Sequence, residues 1–212
     1  MSAAQAGKPV VAAFDFDGTL TRRETLLAFL LHTFGAAAIA RHALVLSPTL
    51  AAYALGLIRN DVAKERVFVR CLGGMRMEEL QQAGERFAMH VLPGMLRHEA
   101  MQRLEWHKQQ GHRCVAISAS LEYYVRPWAT KAGFEDVIAT RLQIGEQGCI
   151  TGKISGANCF GIEKVRRLED LLGVRDGYIL YAYGDSRGDK ELLSYADHAY
   201  YRYIPDCESG AD

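Results

Sequence analysis

The sequence predicts an α/β fold: a doubly wound parallel sheet with an all-helical cap inserted after the first strand. Three observations carry this. Short apolar strands alternate with helices of about ten to fifteen residues, as crossover connections require. A wholly helical block interrupts that alternation between residues 22 and 92. The 212 residues suffice for one full core and a smaller inserted module.

The elements follow in order. Residues 1–9 and 206–212 read as flexible tails. "VVAAFDF" (10–16) is apolar, short and stopped by Gly18, as a fully buried strand is. "ETLLAFLLHTFG" has helical spacing and a stop at Gly35; residues 36–59 follow, with a break expected at Pro48. "NDVAKERVFVRCLGG" opens on Asn60 and Asp61 and closes on two glycines, and "MRMEELQQAGERFAMHVL" ends at Pro93 and Gly94. Then come a helix over 95–111, a strand over 113–118, and a helix from Leu121 that Pro127 shortens or bends. A short strand and a hairpin fill 136–154; helix 161–173, strand 178–185, helix 187–196 and strand 198–204 complete the chain. The core is therefore 10–21 with 93–205, and the cap is 22–92.

Lys plus Arg number 25, as do Asp plus Glu, so no net field attracts nucleic acid, and none is expected as a partner. Cys71, Cys114, Cys149, Cys159 and Cys207 form no C-x-x-C pair. That fits a reducing, cytoplasmic setting and argues against a disulfide framework or a zinc knuckle. The histidines show no H-E-x-x-H pattern. The first apolar run ends at Asp15, too short for a signal peptide.

Ligands of open α/β sheets sit at the carboxyl ends of the strands. The first strand ends in Asp15 and Asp17, "RCVAIS" ends in Ser118 with Ala119 next, and "YILYAYG" runs into Asp185 with Asp189 four residues on. Residues i and i+2 of an extended segment point the same way, so Asp15 and Asp17 flank one position. Three acids around a small cavity repel one another unless a cation sits among them, and hard oxygen donors favour Mg2+. Such a site recruits phosphate. Ser118 and a helix N-terminus behind it offer donors to phosphate oxygens, and Lys164, in the first turn of its helix, is the cation for the remaining charge. Each feature also has an ordinary reading: a turn at Asp15–Gly18, a helix cap at Ser118 or Ser120, acids in a first helical turn at Asp185–Asp189, a solvated Lys164.

"DFDGTLT", "ISAS", Lys164 and "GDSRGD" together resemble the four ordered motifs of the haloacid dehalogenase superfamily. The helical cap between the first two resembles the phosphoserine-phosphatase-like branch. The resemblance implies that Asp15 is the nucleophile and Asp17 the general acid and base. It implies Mg2+ on the Asp15 side chain, the Asp17 carbonyl and Asp185, with Asp189 in support. Gly18, Thr19, Ser118, Ala119 and Lys164 would then surround the phosphate. The chain departs from the phosphoserine phosphatases at "NCFGIEK", where their lysine stands one helical turn earlier.

That branch also carries a glutamate nine residues after the nucleophile and an arginine in the cap, positions matched by Glu24 and Arg66. A helix-start acid and a solvated arginine are equally good readings. "ALVLSPTLAAYALGLI" (43–58) is unusually apolar and resembles the cap of bacterial phosphatidylglycerophosphate phosphatases. It is a helix pair packed on itself, or a surface that meets lipid; Pro48 and its length argue for lying on a membrane rather than crossing it. The expected function is a Mg2+-dependent phosphomonoesterase acting on a small or lipid phosphate. Transfer to an acceptor other than water is the alternative, and a phosphate-binding protein without turnover the reading from another class.

Overall fold

Strand β1 (Val10–Phe14) serves two cores at once, because successive side chains of a strand face opposite ways. In the computed structural model the described residues are 7–173 and 175–205, so residues 1–6, Val174 and 206–212, Cys207 among them, lie outside. Ala12 and Phe14 face one side, with Cys114, Ala116 and Tyr183 from neighbouring strands. Val11 and Ala13 face the other, with Val115, Ile117, Leu180 and Ala182.

The remaining strands of the sheet are β2 (Arg113–Leu121), β3 (Asp136–Thr140), β6 (Ile179–Gly184) and β7 (His198–Tyr201), all parallel, in the order β3-β2-β1-β6-β7. Helices α5 (His98–Gln109) and α6 (Glu122–Ala132) cover the first face through Leu104, Tyr124 and Trp128. Helices α7 (Ile162–Leu172) and α8 (Lys190–Tyr195) cover the second through Val165, Leu168 and Leu192. The chain winds outward from β1 to β3, then crosses back to add β6 on the far side of β1. The crevice at that reversal lies over β1 and β6, the strands that end in Asp15 and Asp185. Between β3 and α7 stands the antiparallel hairpin β4 (Leu142–Ile144) and β5 (Ile150–Ile154), as the glycines at 145 and 148 imply.

Residues 26–90 form four helices: α1 (Leu26–Phe34), α2 (Ala36–Ala54), α3 (Asn60–Leu72) and α4 (Met77–His90). Phe29 and Phe87 enter the first core against Tyr124, so α1 and α4 share their apolar contacts with the sheet domain.

Three local expectations are corrected. Pro48 does not break α2: its ring removes the donor for the Leu44 carbonyl, and the Ser47 hydroxyl donates to that carbonyl instead at 2.8 Å. Pro127 likewise sits inside an unbroken α6. The Tyr123 carbonyl it leaves without its usual donor faces Gly84 of α4, where any Cβ would fall on it. Strand β2 runs to Leu121 rather than stopping at Ser118, with a register shift after Ile117.

A buried polar cluster anchors α5 to β6. Arg103 Nε donates to the Tyr183 hydroxyl at 2.8 Å, and its guanidinium lies 3.9 Å from the Trp106 ring centre. His107, fully buried, meets Tyr183 and His112 at 2.8 and 2.7 Å. Burial, with Arg103 and His112 nearby, pushes the His107 imidazole down to about 2.

Candidate active site

Asp15 leaves the end of β1 with its amide donating to the Tyr183 carbonyl of β6 at 2.9 Å, so the two strands fix its backbone. Asp15 is 6% exposed, and its carboxylate accepts from Lys164 Nζ at 2.5 Å; the same ammonium reaches Asp189 at 2.5 Å. Burial, foremost, lifts the Asp15 carboxyl to about 7 against the pull of Lys164, and Asp189 and Asp17 add to the rise. Burial works against the charge on Lys164, but Asp15 and Asp189 outweigh it and hold the ammonium above its ordinary value.

Asp189 holds the other end of this triad. Its second oxygen accepts from the Ser186 amide and hydroxyl at 2.9 and 2.8 Å and from the Asp185 amide at 3.2 Å. Burial alone would raise its carboxyl; Lys164 and Ser186 lower it below the usual range. Lys164 is delivered by the tight packing of two loops: Gly161 donates to the Gly188 carbonyl at 2.9 Å, and the Phe160 ring fills the space a side chain at 188 would need.

Asp17, two residues on from Asp15, is gripped by three donors. Thr25 gives its amide at 2.9 Å and its hydroxyl at 2.7 Å to one oxygen, and the Ser120 hydroxyl donates to the other. The Tyr124 hydroxyl backs Thr25 at 3.1 Å. The bend that follows the two aspartates is made by Gly18 at φ 80°, where a side chain would be strained and would fall on the Asp185 carboxylate.

Asp15, Asp185 and Asp189 bring carboxylate oxygens within 4.8 Å of one another. Asp185 is half-buried, burial raises its carboxyl, and its Oδ1 has no partner among the described residues. A buried, unsatisfied carboxylate oxygen beside two others is a donor set that suits a hard divalent cation. Asp189 already spends both oxygens on Lys164, Asp185 and Ser186, so Asp15 and Asp185 are the acids with free capacity.

Asp15, Asp17, Lys164 and Ser186 form the floor of a cavity of about 900 Å3, whose lining does not include Asp185 or Asp189. Ser118, Ala119, Phe160 and Arg202 stand around the floor, and the wall above comes from residues 24–67. Ser118 is buried, and its oxygen accepts from the Ser120 amide at 2.9 Å. Helix α6, expected from Leu121, starts at Glu122, with β2 running up to it. Thr19 is buried beside the bend, its hydroxyl without a partner among the described residues. Glu24 stands at the cavity mouth, its carboxyl raised by partial burial and by Asp17, and lowered by Lys64.

Arg66 is not among the lining residues. Helix α3 turns Asn60, Ala63, Lys64 and Val67 into the cavity, the i, i+3, i+4, i+7 face, and leaves Arg66 on the opposite side against the Thr49 hydroxyl at 3.3 Å. Lys64 is the cap cation that faces the floor, its Nζ donating to the Ala119 carbonyl at 3.4 Å. Sequence reasoning gave no site role to Thr25, Ser120, Ser186 or Lys64; Ser120 and Ser186 lie inside "ISAS" and "GDSRGD", and Lys64 shares a helical period with Asn60 and Val67.

The model of haloacid dehalogenase-like hydrolases matches residues 12–194. Protein CicA of Caulobacter vibrioides is 34% identical over 195 residues, covering 92% of this chain and 86% of its own. A probable phosphatase of Mycobacterium tuberculosis is 28% identical, covering 89% of this chain and 67% of its own. Among solved structures, a Bordetella pertussis protein of unknown function has a TM-score of 0.75 at 26% identity, covering 88% of this chain and 86% of that one. The phosphoserine phosphatase of T. onnurineus has a TM-score of 0.58 at 22% identity, covering 98% of this chain and 94% of that one, and so shares the fold. Motif order, strand order and these matches agree: the chain belongs to the haloacid dehalogenase-like hydrolases, among relatives named as phosphatases.

Proposed function

We propose that the chain is a Mg2+-dependent phosphomonoesterase that works through an aspartyl-phosphate on Asp15. One observation carries this reading. Lys164 bridges Asp15 and Asp189 at the base of a cavity, with Asp185 alongside and Asp17 two residues from Asp15.

In this reading the Asp15 carboxylate attacks phosphorus and the ester P–O bond breaks. Its electron pair leaves with the alkoxide, and Asp17 supplies the proton. Water then attacks the phosphoryl group, Asp17 takes the water's proton, and Asp15 leaves as a carboxylate. Lys164 and the Ala119 amide bind the phosphoryl oxygens, with Ser118 beside them, and Gly18 and Thr19 shape the loop beneath. Asp15, Asp185 and the Asp17 carbonyl would hold Mg2+, which supplies the positive charge that keeps Asp15 ionised and balances the incoming phosphate. Asp189 acts through Lys164 and the Asp185 amide.

Residues 22–92 serve as the cap in this reading, over a core of 10–21 and 93–205. The cap wall (Leu26, Leu50, Tyr53, Ile58, Val67) supports a substrate with an apolar body. Glu24 at the mouth supports an ammonium-bearing ester such as phosphoserine as the second reading. The free thiols at 71, 114, 149 and 159 support a reducing, cytoplasmic setting.

The test is phosphate release with Mg2+ from phosphoserine and from a short-chain phosphatidylglycerophosphate, with Asp15→Asn as the blank. Mg2+-dependent release that the variant loses is the expected result. Release that persists in Asp15→Asn, or in excess chelator, overturns the assignment. Preference for phosphoserine gives Glu24 its substrate role.

A further inference from the structure

Helix α2 is exposed around most of its circumference, yet from Ala43 to Ile58 the chain has no charged side chain. Within α2 only Leu46 and Thr49 are buried. Leu44, Leu55 and Leu57 are 74–75% exposed, with Val45 beside them at 59%. Val62 and Val69, two turns apart on α3, are exposed as well. A monomer in water does not ordinarily keep so much contiguous apolar area bare.

The charges around it indicate what covers it. Between Ala36 and Leu72 the chain carries Arg41, Arg59, Lys64, Arg66 and Arg70 against Asp61 and Glu65, in a protein whose net charge is zero. Arg41, Arg59, Arg66 and Arg70 are exposed. A second copy seated on the same face would bring these like charges together across a two-fold interface. An anionic lipid surface meets both properties at once, the apolar side chains entering the headgroup boundary and the arginines resting on acidic headgroups. The segment lies on the surface rather than crossing it: no helix among the described residues is long and apolar enough to span.

Leu50, Tyr53, Gly56 and Ile58 belong both to this segment and to the wall of the catalytic cavity. We propose that the α2–α3 arm docks on anionic membrane with the cavity mouth against the headgroups, so that the substrate is a lipid phosphate monoester taken from that surface. The substrate half rests on the phosphatase reading above; the docking half does not.

The experiment is sedimentation of the full chain with phosphatidylcholine vesicles, with and without phosphatidylglycerol, at low and high salt. The triple variant Leu44→Glu/Leu55→Glu/Leu57→Glu is run beside it, with Arg41→Glu/Arg70→Glu as a second variant that leaves the apolar face untouched. Expected are binding to the anionic vesicles only, weakening with salt, and at least a tenfold loss of binding in either variant. Turnover of a soluble monoester by both variants shows that they are folded. No binding to anionic vesicles at low salt overturns the docking, as does binding that neither variant weakens. Self-association that the triple variant abolishes, without vesicle binding, assigns the face to a second copy and also overturns it. Vesicle binding with no turnover of any phosphate ester overturns the phosphatase reading and the substrate half, and leaves docking standing.

Discussion

The floor and the wall of the cavity are built on opposite principles. On the floor almost every polar group is held by a named partner: Lys164 by two carboxylates, Asp189 by four donors, Asp17 by three. The wall offers apolar side chains, one cation at Lys64, and an Asn60–Tyr53 pair whose amide oxygen has no partner among the described residues. Fixed charges in a dry site act strongly and demand one geometry. Apolar area acts weakly and accepts many shapes. The floor therefore sets what reaction is run, and the wall sets on what.

Substitutions should separate the two. Asp15→Asn should cost at least roughly 10⁴-fold in kcat on every substrate, read by phosphate release. Lys164→Ala should cost roughly 10²-fold or more. It should also destabilise the fold by about 3–5 kcal/mol in denaturant titrations, because two carboxylates stay buried without their cation. Ser120→Ala should loosen Asp17 and lower kcat about tenfold for alkyl phosphates, whose leaving group needs a proton, while an aryl phosphate is little changed. Equal losses on both would show that Ser120 serves the fold rather than the proton transfer.

Far from the cavity, His107 provides a control on acid effects. Its folded-state value lies below the unfolded one, so the unfolded chain takes up the proton first. Its stabilising contribution is complete above about pH 6.5 and is lost as the pH falls below it. Between pH 7.5 and 5.5 the His107 share of the loss is about 1.4 kcal/mol, and His107→Gln should change the slope in denaturant titrations by that share, leaving the contributions of His112 and Asp15 in place. Smallest of all, Leu50→Ala should raise KM for an apolar ester roughly fivefold with kcat unchanged. If Leu50→Ala lowered kcat on polar and apolar esters alike, the division between floor and wall would fail.

The sheet was legible because buried parallel strands are short apolar runs, but their ends were less so: "VVAAFDF" was expected to stop at Gly18 and β1 ends at Phe14, while β2 runs past Ser118 to Leu121. The residues that converge near the strand ends were legible all the same: Asp15, Ser118 and Asp185 inherit their positions from topology. What escaped was set by contacts distant in sequence. Thr25 and Ser120 close on different oxygens of Asp17; Thr25 lies in no motif, and "ISAS" does not say that its last serine reaches Asp17. Arg66 and Lys64 differ only by phase on α3, and two residues of error in that phase exchange cavity for solvent. Pro48 reads as a break and Pro127 as a bend or an early end because the loss of a donor is local, whereas what lets α2 continue comes from the neighbouring Ser47 hydroxyl.

Gly84 and Pro127 are one feature written at two places. The proline leaves the Tyr123 carbonyl bare, and the glycine lets α4 close down on it without a side chain in the way. In related sequences the two positions should change together or not at all: a side chain at 84 belongs with a chain that has lost the proline. Such paired inheritance would mark where the cap's last helix is fastened to the sheet domain, a join that neither residue announces alone.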